Sequence, residues 1–327
     1  MDAAVSTGGE ARRRVELGDV LQRFASVAIL LILLVAASFM SESFFTVRNL
    51  FNVLRQVAGT GIIAVGMLYV ILTAGIDLSV GSIAALASVL VAYFLGQHGQ
   101  VYSVALTLLV GAGLGAFSGA LVAYLRMPAF VMTLAMMSIA RGLALIVSRG
   151  QPIIVENDPA LVIVFGAGFT ARVPNPVWLL LAVYVIAGVV LAFTRFGRLV
   201  KAIGSNAEAV RLSGIRVPRH LLAVYVISGV CAAAAGVIST SRSGVGSATV
   251  GVGAELEAIA AVVIGGASLA GGRGGVINTF IGVFVLGIIN NMMNLAGVPG
   301  FYQGVVMGGI IIVAVLLQQG TSYMQGR

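Results

Sequence analysis

The sequence predicts an all-α integral membrane protein with about ten transmembrane helices and both termini in the cytoplasm, on three observations. Between Arg55 and Arg126 run 70 residues with one formal charge, Asp77. At about 1.5 Å per helical residue, that far exceeds one crossing of a ~30 Å hydrocarbon layer. Hydrophobic residues make up 59% of the chain and charged residues only 9%, against roughly 25% charged in soluble domains. The mean hydropathy is +1.08, and no polar stretch is large enough to hold a separate water-soluble core.

Apolar runs fall at 24–40, 57–75, 79–96, 102–125, 129–148, 176–194, 221–240, 255–271, 275–297 and 302–318, each 17 to 24 residues long, which is the length of a span. The first follows Arg12, Arg13 and Arg14, and Ala36-Ala37-Ser38 offers a small-x-small cleavage site. A secretory signal is therefore one reading. An uncleaved span is preferred, because the leader also carries Asp2, Glu10, Glu16 and Asp19. The chain then divides into a cytoplasmic segment at 1–23, a membrane domain at 24–318 and a cytoplasmic tail at 319–327. Between the second and third runs, TAGIDLSVGS (73–82) places a carboxylate and two glycines where a helix should break, either as a hairpin at the cytoplasmic face or as a break lining a wet cavity. The eighth run, with Glu255, Glu257 and Gly265, Gly266, Gly271 and Gly272, suits a partly re-entrant segment.

Orientation follows from the stretch 195–220. It holds Arg195, Arg198, Lys201, Arg211, Arg216 and Arg219 against the single acid Glu208, so it belongs on the cytoplasmic side. The net charge of +8 sets topology here and does not mark a nucleic-acid surface. Glycine is abundant, at 43 residues. Gly111, Gly115 and Gly119 repeat every four residues, as do Gly300, Gly304 and Gly308; each set makes a smooth stripe for close helix packing. Gly75 to Gly81 also resembles Gly266 to Gly272 at an offset of 191 residues, a hint of internal duplication.

Enzyme chemistry is missing. No G-x-x-x-x-G-K-[ST] loop surrounds the only lysine, Lys201. His98 and His220 are isolated, and the lone Cys231 forms neither an intrachain disulfide nor a zinc site. No metal ligand set or catalytic set is present in the sequence.

In GRLVKAIGSNAEAVRLSGI (197–215), Ser205 and Glu208 have capping-box spacing and Gly214 is placed to end a short helix. Ala207, Val210 and Leu212 give that helix an apolar component. Glu208-Ala209-Val210 followed by Gly214 resembles the Glu-Ala-Ala…Gly signature of coupling loops in bacterial ABC importer permeases, with Val210 replacing the second alanine. The stretches NLFNVLRQVAGTGIIAVGMLYVILTAGIDLSVGS (49–82), PAFVMTLAMMSIARGLALIVSRGQPI (128–153) and AVVIGGASLAGGRGGVINTFIGVFVLGIINNMMNLAGVPGFYQ (261–303) are similar to permeases for ribose and related monosaccharides. The resemblance covers residues 44–317. It implies a permease subunit in the inner membrane, paired with a second permease copy, cytoplasmic ATP-binding subunits that hold ATP and Mg, and a periplasmic sugar-binding protein. It also implies that Ser205, Glu208, Ala209, Val210 and Gly214 contact the ATPase and that this chain binds no cofactor itself.

Five polar residues remain as candidates for a pathway or gate. Asp77 is costly near lipid, by about 2.5–3.5 kcal/mol on insertion scales, unless it reaches water or a partner; otherwise it is a solvated turn with Ser79 capping the next helix. Asn290, Asn291 and Asn294 fall within about one turn and must face protein or water. Arg141 is read as snorkelling, and Trp178, Tyr184 and Tyr302 as interfacial anchors. The competing functions are an ion-coupled secondary transporter using Asp77, and a membrane scaffold without transport.

Overall fold

The computed structural model describes residues 26–155 and 162–324. The expectations for the leader at 1–23 and for residues 325–327 lie outside the described residues. In chain order the helices are α1 (Ser26–Met40), α2 (Val47–Leu72), α3 (Val80–His98), α4 (Gln100–Tyr124), α5 (Ala129–Ser148), α6 (Asn175–Phe193), α7 (Arg195–Leu212), α8 (Val217–Ser243), α9 (Ala254–Ile264), α10 (Val276–Leu295) and α11 (Gly300–Met324). Seven of these (α2 to α6, α8 and α10) are long and apolar enough to cross a membrane, and α1 and α11 contain shorter apolar helices. The run 255–271 forms only the 11-residue α9, about 16 Å of helix, followed by a glycine-rich loop at 265–275. The last helix continues to Met324, past the expected start of the tail.

Local chemistry sets the helix ends. Thr46 caps α2 by accepting the Asn49 N–H. Prolines in the first turns of α6 and α8 donate no N–H where none has a helical partner. At the end of the bundle opposite α7, Ile153–Ile154 (β1) pairs antiparallel with Val245–Gly246 (β4), and Phe169–Thr170 (β2) pairs with Val173–Pro174 (β3).

The central layer is α2, α3 and α8. Their most apolar windows are 72%, 78% and 61% buried, against 28% for α4 and α5, so the outer helices present Leu109, Phe117, Ile139 and Ile146 to the surroundings. Of the two glycine stripes, one is a seam. A methyl group at Gly111 would lie 2.5 Å from Cβ of Ala233, one at Gly119 would lie 2.9 Å from Cβ of Tyr225, and one at Gly115 would overlap the Tyr225 carbonyl oxygen. These glycines bring α4 against α8 backbone to backbone. At Gly300, Gly304 and Gly308 a methyl group would meet nothing within 4 Å, so that stripe packs against nothing among the described residues.

Two anchoring expectations are corrected. Tyr184 is not interfacial: it is buried, with its ring edge-on to Phe280 at 4.9 Å. Arg141 turns inward, donating to the carbonyl oxygens of Ala248 and Val250 at 2.5 and 2.8 Å, and so clamps the loop between α8 and α9. Trp178 remains exposed and donates its indole N–H to the Thr170 carbonyl.

Candidate functional site

The coupling segment is built by α7. Its backbone is non-helical at Asn206 (φ −162°, ψ 94°), which divides α7 into two helical parts. The capping expectation is therefore corrected by one residue. Asn206, extended as a cap requires, accepts the Ala209 N–H at 2.9 Å. Ser205 instead donates to the Lys201 carbonyl in the preceding turn. Glu208 does not complete a capping box; it pairs with Arg211, accepting from Nε at 2.8 Å and from the terminal nitrogen at 2.5 Å. That charge-assisted pair holds the Glu208 carboxyl below its ordinary range and the Arg211 guanidinium above its own.

The far end forms as expected. Gly214 takes φ +80°, its N–H bonds the Arg211 carbonyl, and Ile215 N–H bonds the Val210 carbonyl, the paired bonds of a Schellman motif. Val210 is buried with Ile203 and Val217, so it roots the segment in the membrane domain. Ala207, Glu208, Ala209, Arg211, Ser213 and Gly214 are exposed, and Leu212 is 74% exposed. The result is a small projecting knob with an apolar tip. Leu212 was legible only as part of an apolar face, because spacing alone does not say that Val210 turns in and Leu212 turns out.

The knob is tied to the bundle immediately upstream. A methyl group at Gly204 would overlap the Leu72 carbonyl oxygen at the end of α2, and that same oxygen accepts the Gly272 N–H at 3.0 Å. The end of α2, the middle of α7 and the loop 265–275 thus meet at one point. Two clefts flank α7: one of about 580 Å³ lined by Lys201, Arg273 and Asn278, and one of about 390 Å³ lined by Arg126, Glu208, Arg211 and Leu221.

Asp77 lies deep in the bundle. Ser228 of α8 donates to its Oδ2 at 2.7 Å; Ser79 donates its N–H and hydroxyl to Oδ1 at 3.0 and 2.5 Å. Gly229, next to Ser228, packs on Gly111, the twelfth of 25 residues in α4, so the network stands at about half the height of the bundle. The break is internal, not a turn at the edge. Ser79 makes no side-chain cap to α3; its hydroxyl serves the carboxylate. Asp77 is 1% exposed, and three donors satisfy its carboxylate oxygens.

The asparagines go to three separate partners. Asn291 is buried and exchanges two amide hydrogen bonds with Asn49 at 2.9 Å, joining α10 to α2. Asn294 accepts from Gln303 at 2.8 Å. Asn290 hydrogen-bonds Glu257, which also accepts from Thr60 at 3.3 Å. Read from sequence alone, Glu257 marks only a partly re-entrant segment.

Residues 49–315 match the family described as branched-chain amino acid transport system permease component. The chain is 44% identical over 296 residues to the ribose import permease protein of Escherichia coli (strain K12), covering 89% of this chain and 92% of that one. It is 43% identical to the ribose import permease protein of Bacillus subtilis (strain 168), covering 95% and 97%. It is 35% identical to the L-arabinose ABC transporter permease protein of Azospirillum brasilense, covering 97% and 93%. No solved structure gives a significant match.

Proposed function

We infer function from family membership: this chain belongs to the branched-chain amino acid transport system permease-component family, and it is the membrane subunit of a binding-protein-dependent ABC importer. It forms the route for a monosaccharide or related small polyol, a reading supported by relatives named for ribose and L-arabinose. It is a transport subunit and not an enzyme; ATP and Mg belong to the partner.

The observation that carries this reading is the knob at Asn206–Gly214, exposed, capped at both ends and seated against the end of α2. A bare connector needs neither caps nor an exposed leucine. We place this knob in the cytoplasm of the inner membrane, following the basic residues of 195–220. From it, α8 runs outward, α9 with loop 265–275 returns to Leu72, α10 runs outward and α11 returns. Counting α9 and its loop as one crossing gives ten spans and cytoplasmic termini. The partners are a cytoplasmic ATP-binding subunit, a periplasmic sugar-binding protein, membrane lipid and a second permease copy, for which the open Gly300, Gly304 and Gly308 stripe is a packing surface.

The test is reconstitution. In proteoliposomes the chain alone should neither hydrolyse ATP nor accumulate ribose, and addition of the cognate ATPase and binding protein should produce both. Ion-gradient-driven uptake by the chain alone would overturn the assignment.

A further inference from the structure

Glu257 is an ionisable group inside the membrane layer that the chain does not bury completely. Gly66 of α2 abuts Ser228 at half the bundle height, and Thr60, which donates to Glu257, lies six residues farther from α7. That is about 9 Å from mid-height, within the ~15 Å half-thickness of the hydrocarbon. A partly exposed carboxylate at that depth must face a wet cavity or another polar surface, since lipid offers it nothing.

The sequence around it supplies such a surface. Along α2, Asn52, Gln56 and Thr60 recur every four residues and stand on one helix face; Asn52 is exposed, and Gln56 and Thr60 are half-buried. Along α10, Asn294 is exposed and Asn290, one turn deeper, is half-buried. Both rows descend from the end opposite α7 and converge on Glu257, which bonds Thr60 and Asn290 together. One turn farther toward α7 on each of the three helices stand Ala64, Leu286 and Ala261, each no more than 2% exposed. The polar strip therefore has a floor, and Glu257 sits on it.

We propose that this strip lines the external half of the cargo route, and that Glu257 with Thr60 and Asn290 forms its innermost binding station, taking a neutral polyhydroxylated molecule. This rests on the importer reading above and names residues within it. The chemistry fits. An ionised carboxylate only accepts hydrogen bonds and has two oxygens to offer, matching the hydroxyl donors of a polyol, while the asparagine and glutamine amides both donate and accept. The six polar residues include no cation, so an anionic cargo would meet repulsion at Glu257.

The test has two arms. Single cysteines N52C, Q56C, T60C and N294C are placed in the full complex in membranes, with L109C and I186C as controls on lipid-facing positions that are 68% and 63% exposed on the chain surface. The native Cys231 is buried. A membrane-impermeant methanethiosulfonate reagent added from outside should modify the strip cysteines at least tenfold faster than the controls, because only a hydrated thiol ionises and reacts. Modification no faster than the controls overturns the wet strip. In the second arm, Glu257→Gln in the reconstituted complex should lower uptake of ribose, xylose and arabinose at least tenfold, with the complex still eluting intact on size exclusion. Wild-type uptake overturns the role of Glu257. Absence of uptake of any of these sugars by the wild-type complex would count against the importer reading instead, and the labelling result stands apart from it.

Discussion

Replacing Asn206 with alanine removes the side chain that caps the knob. Its Oδ1 accepts the Ala209 N–H at 2.9 Å, and loss of an asparagine cap costs ~1 kcal/mol, within a range of about 0.5–2. The helical part that it starts is too short to hold itself together in water, so the loss passes into the population of the docking conformation. If the ATPase binds only that conformation, ~1 kcal/mol raises the dissociation constant by up to about fivefold and the upper limit by up to about thirtyfold, the full factor applying where the conformation is the minor one. Ser138→Ala on α5 is the control, because that exposed hydroxyl bonds the Leu134 carbonyl in the preceding turn and lies outside the coupling segment, so its affinity should stay within about twofold. Binding of the detergent-solubilised variants to immobilised ATPase by biolayer interferometry measures both. Wild-type affinity in Asn206→Ala, or an equal loss in Ser138→Ala, would refute the assignment of the cap and return the segment to a connector.

Gly115→Val should lower stability by about 1–3 kcal/mol through overpacking against the Tyr225 carbonyl, whereas Gly113→Val on the same helix, with open space around it, should stay within about 0.5 kcal/mol; thermal unfolding in detergent separates the two. Ser228→Ala removes one of three donors from the buried Asp77 and should cost about 1.5–3 kcal/mol. Asp77→Asn should cost less, because the serine hydroxyls can turn to accept from its amide, and the same unfolding assay ranks them. Glu208 has its carboxyl held below the ordinary value of 4.5 by Arg211, so its ionised pair is complete above that value and is lost only as pH falls through the lowered one. Association with the ATPase should therefore be equal at pH 7.5 and 5.5 by interferometry, and a decline across that interval would count against the pair as the ionised group that matters.

Hydropathy located the seven helices long enough to span, because a lipid layer admits only long apolar segments whose backbone bonds itself, whereas the run 255–271 folded as the 11-residue α9. The segment 202–215 carried its glycine stop and its acidic residue in plain view, since caps and terminators act over a few neighbouring residues. Its cap was misplaced by one position because Ser205 and Asn206 are both good caps, and the choice was made when Gly204 pressed against the Leu72 carbonyl and the chain could turn only beyond it. The glycine stripes looked alike in sequence; α8 covers one and nothing among the described residues covers the other. Asp77 could stand at a surface turn or inside the bundle, and the partner that decides this, Ser228, is 151 residues away. Glu257 was marked in the sequence only as part of a partly re-entrant segment. Its meaning comes from Thr60 and Asn290 on two other helices, a juxtaposition that only packing creates.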